Sequence, residues 1–145
     1  MKTWKECESE IHQVQQDTEM AAALLVMMGI RQRAAESLDR EKFSSIIVEG
    51  YYEVIKEAIT ALMAIDGRKT LSHEALVAYL AEFYKECSEY EIRLIDQLRQ
   101  LRNKIVYRGF IVRKDYLERN EKEIQRILIK LRQIIENKLK REEKK

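Results

Sequence analysis

At 145 residues the chain is sized for one domain, long enough to bury about two thirds of its unfolded surface. It has no proline, four glycines and two cysteines, which leaves few tight turns and excludes a disulfide framework. Its net charge of +2 conceals a polarity: residues 1–98 hold 11 Lys/Arg against 18 Asp/Glu, and residues 99–145 hold 16 against 7. Either the two halves attract one another, or the basic half holds a polyanion.

Apolar residues fall at helical spacing almost throughout. Trp4, Cys7, Ile11, Val14, Thr18, Ala21, Leu25 and Met28 predict a first long helix, opened by a Thr3–Glu6 capping box. Gly29 bends or ends it, or it continues through Ala34, Ala35 and Leu38; a break is expected over residues 37–43. A second helix carries Ile47, Tyr51, Val54, Ala58, Leu62 and Ile65 and stops at Asp66-Gly67, where glycine suits the left-handed residue after a helix end. Its row of Glu49, Glu53 and Glu57 is expected to solvate the outer face, with a second reading in which one of them pairs with Arg102 and orients it.

Ser72 is expected to cap a short third helix with Leu76, Leu80 and Phe83 inward. Ser88 and Glu91 form the capping box of a fourth, whose seam is Leu94, Leu98, Leu101 and Ile105 and which closes at Gly109. Beyond the apolar link GFIV, Asp115 with Glu118 is expected to cap a long fifth helix with Leu117, Ile124, Leu128, Leu131 and Ile135 inward. The tail NKLKREEKK, residues 137–145, is expected to fray. The reading is an all-α, up-down antiparallel bundle of four to five helices forming one domain over residues 1–145.

Met20, Met27, Met28 and Met63 are read as core filler. Of the adjacent Tyr51 and Tyr52, Tyr51 fits the buried stripe and Tyr52 turns to a neighbouring helix or a partner. Cys7 and Cys87 read as small buried hydrophobes in a reducing compartment. The longest apolar run, residues 21–30, is far short of a membrane span, so a cytoplasmic protein without a membrane partner is expected. His12 and His73 have no companion ligands beyond Glu8 before His12, and His73 reads as a first-turn residue after Ser72. No glycine-rich nucleotide loop is present, and neither metal nor cofactor is expected.

One stretch carries chemistry. From Arg99 to Lys114 there are six basic residues and no acid, and within it lies LRNKIVYRG, residues 101–109. Arg102 falls about 100° round from Leu101, at the margin of the seam, while Lys104, Tyr107 and Arg108 point outward. Arg102 and Tyr107, five residues apart, diverge by about 140° on an ideal helix. They are therefore expected to share a site only where the helix distorts near Gly109 or a second copy completes it. Cations at a helix C-terminus offset its negative dipole end, which accounts for the charge without a ligand. The mixture of types supports a site: Arg102 and Arg108 fork to phosphate oxygens and Lys104 adds a point charge. Asn103 both donates to and accepts from a base, and Tyr107 offers a ring and a hydroxyl.

With this stretch in its penultimate helix, with residues 45–67 as its long second helix and with residues 72–80 opening the third, the chain resembles the HEPN domain family over nearly its whole length. That family often carries Arg-x(4–6)-His at this place, frequently as Arg-Asn followed by His, and its active members join Arg and His from two subunits to cleave RNA without metal. Arg102 and Asn103 match; Tyr107 stands where the His falls, and Gly109 where some members have a Tyr. Imidazole exchanges protons near neutral pH, whereas a phenol is mostly protonated there and is a poor general base.

The resemblance implies a homodimer that contacts RNA or a nucleotide through Arg102, Asn103, Lys104, Tyr107 and Arg108, in a toxin–antitoxin or RNA-processing system. One alternative is a metal-independent endoribonuclease in which Arg102 and Tyr107 are catalytic. Another is a non-catalytic interaction module docking on an acidic partner such as a minimal nucleotidyltransferase.

Overall fold

The computed structural model describes residues 1–145. It is all-α, with six helices and one very short antiparallel sheet. A single-turn α1 (Trp4–Cys7) and a 3-10 turn (Glu8–Glu10) lead into β1 (His12–Gln13). There follow α2 (Thr18–Ser37), α3 (Ser44–Asp66), β2 (Arg68–Lys69), α4 (His73–Phe83), α5 (Glu89–Arg108) and α6 (Lys114–Glu143). No helix is long and apolar enough to cross a membrane.

α3 is the central helix. It carries apolar side chains on every side and buries most of them, because α2, α4, α5 and α6 all pack on it. Thirty-three buried residues join in one core, and Cys7, Ala75 and Ala78 form a small satellite under α1. Both cysteines are buried and free. Trp4 packs edge-on against Phe83 at 5.0 Å between centroids. That contact holds Phe83 at the surface, 53% exposed, rather than in the core position its spacing predicts.

The expected first helix is broken in two. Residues 12–17 are diverted to the end of α3, where they donate to carbonyls of its last turn and of Gly67. Val14 N donates to Gly67 O at 3.0 Å, Asp17 N to Ala64 O at 2.9 Å, and the Gln16 side chain to Ile65 O at 2.9 Å. β1 then pairs with β2 through His12–Lys69 and Gln13–Arg68. Asp17 caps the new start by accepting from Met20 N at 2.9 Å. Gly67 is left-handed at φ 74°, and a Cβ there would meet Val14 O at 2.9 Å, so only glycine fits this crossing. Gly29 neither ends nor stops α2, which runs on to Ser37.

The other ends follow the expected chemistry more closely. Ser72 caps α4, and Ser88 and Glu91 exchange both bonds of a capping box at α5. Gly109 closes α5 in the left-handed conformation at φ 64°. α6 differs at both ends. It begins at Lys114 after Arg113, with no side-chain cap, so Asp115 lies in its first turn and does not cap it. It also runs through the tail expected to fray, reaching Glu143, because Lys138 binds Asp66 at 2.8 Å and Leu139 packs on the core.

The GFIV link is pinned to the start of α3. Ser44 Oγ donates to Val112 O, and Val112 N donates to Ser45 Oγ at 2.8 Å. This staple fixes where the C-terminal end of α5 sits relative to α3.

Candidate nucleic-acid interface

α5 is regular through Arg108, so no distortion brings Arg102 and Tyr107 together. Side-chain reach does. Helical side chains lean toward the N-terminus, so the Tyr107 ring leans back over the preceding turn. The Arg102 guanidinium carbon lies 6.0 Å from the ring centroid within one chain. The helix distortion or second copy required by ideal-helix angles is therefore unnecessary for this contact.

Arg102 is held from its other side by α3. Its side chain is 18% exposed, and its Nε lies 3.5 Å from Glu53 Oε1. That separation balances charge, yet Nε makes no hydrogen bond. Nη1 reaches Asn103 Oδ1 at 3.4 Å. Glu53 is shared, since Lys56 Nζ lies 2.9 Å from its Oε2. Of the three glutamates expected to solvate α3, Glu53 pairs with Arg102 and Lys56, and Glu57 is buried and pairs with Arg31 of α2. Burial pushes the Glu57 carboxyl above the ordinary carboxylate range, with Arg31 opposing it.

Outside Arg102 the surface is open and cationic. Tyr107 is 74% exposed, and Lys104 and Arg108 are exposed. Lys104 Nζ sits 5.6 Å from the centroid of Phe110, a second exposed ring. Of the six basic residues from Arg99 to Lys114, three have carboxylate partners: Arg99 with Asp96, Arg102 with Glu53 and Lys114 with Glu41. Lys104, Arg108 and Arg113 have none. A hollow of about 480 Å³ lies beside this face, lined by Leu101, Phe110, Ile111, Arg113 and Tyr116, and it is open to solvent. The end of α5 is thus an open face with a shallow hollow beside it, suited to a strand lying across it.

His73, read from sequence as a first-turn residue only, belongs to this neighbourhood. Tyr52 turns toward α4, and its hydroxyl lies 3.2 Å from His73 Nδ1. Tyr51 and Tyr52 are both buried, each finding a polar partner for its hydroxyl. Burial lowers the His73 pKa, and the charges of Lys56, Arg102 and Arg99 lower it further. The same desolvation pushes the Tyr52 phenol up. His73 is therefore a neutral imidazole beside a cationic patch, able to accept a proton but disfavoured as a cation. The second sequence reading, in which one of the three glutamates pairs with Arg102, holds for Glu53; sequence reasoning missed Lys56, His73 and Phe110. Of these, Phe110 alone had a local signal, since it lies within the basic run.

His12 is exposed in β1, and no group of three or more His, Cys, Asp or Glu is placed to hold a metal ion. What fold and site define is an all-α bundle whose penultimate helix ends in a cationic, aromatic face. No family model, no curated protein and no solved structure matches the chain.

Proposed function

We propose that the chain is a HEPN-like RNA-binding protein that holds a single-stranded segment at the end of α5. One observation carries the reading: a mostly buried arginine with an unbonded Nε stands between a carboxylate and an exposed tyrosine ring, beside cations that have no partner. Arg102 holds a phosphate oxygen, with Glu53 keeping the guanidinium in place. Tyr107 and Phe110 offer faces for bases to stack on, which is how proteins grip single strands without a deep pocket. Lys104 and Arg108 supply phosphate contacts of the salt-sensitive kind. The openness of this face and of the hollow beside Phe110 favours RNA over a free nucleotide.

Binding of a labelled single-stranded RNA to the native chain and to Arg102→Ala tests this. Loss of one charge-assisted phosphate contact weakens binding about tenfold. Equal affinity of the two proteins contradicts the reading.

A second reading, metal-independent cleavage, draws on His73 as well as on Arg102 and Tyr107. Burial, with the neighbouring cations, keeps His73 in the neutral form that accepts a proton, and the Tyr107 hydroxyl is a proton donor. Incubation of labelled RNA with a chelator present, comparing native chain with Tyr107→Phe and His73→Gln, separates binding from turnover. Cleavage lost in either variant supports catalysis, and intact RNA throughout leaves the chain a binder.

A further inference from the structure

α2 is apolar on two separate sides. One side, Ala21, Met28 and Ala35, is buried; there Ala35 Cβ lies 3.3 Å from where a Cβ on Gly50 would be, so α2 and α3 approach closely. The other side carries Met20, Ala23, Met27, Ile30 and Ala34, all exposed, at alternating steps of three and four. That spacing keeps a line of residues on one face of a helix and is the pattern of a helix–helix seam. Val26 flanks the line and is 66% exposed, while Met20 and Met27 are each 41% exposed and Ile30 48%. Two of the methionines that composition assigns to the core are therefore at the surface. Nothing in the chain covers them.

Charge on the same flank identifies what does. Glu19 and Arg33 lie one heptad before and one heptad after Val26. Arg31 and Glu36 elsewhere on the helix are engaged by Glu57 and by Gln32 and Gln125, but Glu19 and Arg33 are exposed and have no partner in their own chain.

We infer that this face pairs with the same face of a second copy, the two α2 helices lying antiparallel about a two-fold axis. In that register Met20 packs on the partner subunit's Ile30, and Ala23 on the partner subunit's Met27, large against small. Val26 meets the partner subunit's Val26 beside the axis, and Glu19 faces the partner subunit's Arg33, twice by symmetry. A parallel pair sets Glu19 against Leu24 and Arg33 against Leu38 and leaves all four charges unmatched. Complementary charge thus selects the antiparallel arrangement. The pairing places the subunit contact on α2, not at the end of α5, and does not depend on RNA being bound.

Analytical ultracentrifugation of the full chain without RNA tests the inference, with circular dichroism to show that each variant folds. The native chain dimerises, and Val26→Lys or Met27→Lys weakens the dimer roughly tenfold or more while helicity is retained. Glu19→Arg and Arg33→Glu each weaken self-association, because each opposes like charges across the axis. An equimolar mixture of these two variants forms a heterodimer, and the double variant E19R/R33E dimerises again. Val26→Cys crosslinks to itself on oxidation, since Cys7 and Cys87 are buried. A native chain that is monomeric throughout the micromolar range overturns the inference. So does a dimer indifferent to Val26→Lys, which another face must hold, or a pair of charge reversals without mutual rescue.

Discussion

The Nε of Arg102 on α5 lies 3.5 Å from Oε1 of Glu53 on α3. A carboxylate at this place does two things at once. It keeps the guanidinium pointing into the face shared with Tyr107, and it competes with any phosphate for the same positive charge. Removing its charge while keeping its shape, as in Glu53→Gln, frees both Arg102 and Lys56 for an anion. The expected result is RNA affinity raised about threefold at low salt, because partly exposed pairs contribute modestly. Fluorescence anisotropy with a labelled single strand reads this. A weakened complex instead means that Glu53 serves the site mainly by positioning.

His73 reports on the same neighbourhood. The chain has two histidines, so an NMR pH titration resolves them without difficulty. His73 titrates below the ordinary value of about 6.5, burial being the main cause and Lys56, Arg102 and Arg99 adding to it. Arg102→Ala moves its pKa up, and so does addition of a single-stranded oligonucleotide, whose phosphates offset the cations. A His73 titration that ignores both changes places it outside the site.

Acid stability follows from four groups. Burial alone raises the Glu91 and Glu121 carboxyls, but Lys130 with Ser88, and Arg40 with Tyr51, outweigh it and hold both below the usual range. The unfolded chain binds protons on these groups first, near pH 4.3. Their stabilisation is therefore complete above that pH and is lost as pH falls through the depressed folded values. His73, also depressed, adds a loss that begins as pH drops below about 6.5. Glu57 acts with the opposite sign, since its raised carboxyl takes up a proton in the fold first. Acid titrations followed by circular dichroism are expected to show the midpoint moved to higher pH in Lys130→Met and in Arg40→Met.

Asp66 ties α4 with its C-cap, and α6, to the end of α3. Its Oδ2 accepts from Tyr79 at 2.7 Å and from Tyr84 at 2.6 Å, and Lys138 of α6 lies 2.8 Å from Oδ1. Both phenols are buried. Asp66→Ala removes the acceptor and leaves those donors unpaired, at a cost of about 3 kcal/mol. Chemical denaturation measures it. Tyr79→Phe and Tyr84→Phe each cost about 1 kcal/mol, since a donor is removed and the carboxylate keeps others.

Most helices were legible in the sequence because local rules govern them. Ser72, Ser88 with Glu91, Gly67 and Gly109 mark ends through bonds made within a few residues, and the structure uses all four. The start of α2 was not legible. Ile11, Val14, Thr18 and Ala21 keep helical spacing across a stretch whose hydrogen bonds go to Ala64, Ile65 and Gly67, some 50 residues away. No periodicity announces such a partner. The site divides in the same way. Arg102, Asn103, Lys104, Tyr107 and Arg108 lie within seven consecutive positions, and their chemistry showed in that order. Glu53, Lys56 and His73 reach the site from α3 and α4, and spacing along those helices says nothing of what they face. Phe83 and the α2 methionines show the converse limit: apolar residues at helical spacing are not all buried.

The salt dependence of RNA binding tests the central claim most directly. Each phosphate contact adds roughly 0.7 to the slope of log affinity against log salt for a single strand. Removing the charges of Arg102, Lys104 and Arg108 together is expected to make that slope shallower by about 2, with affinity at low salt falling far more than at high salt. A native chain whose binding is independent of salt, or a triple variant with the native slope, would contradict the account.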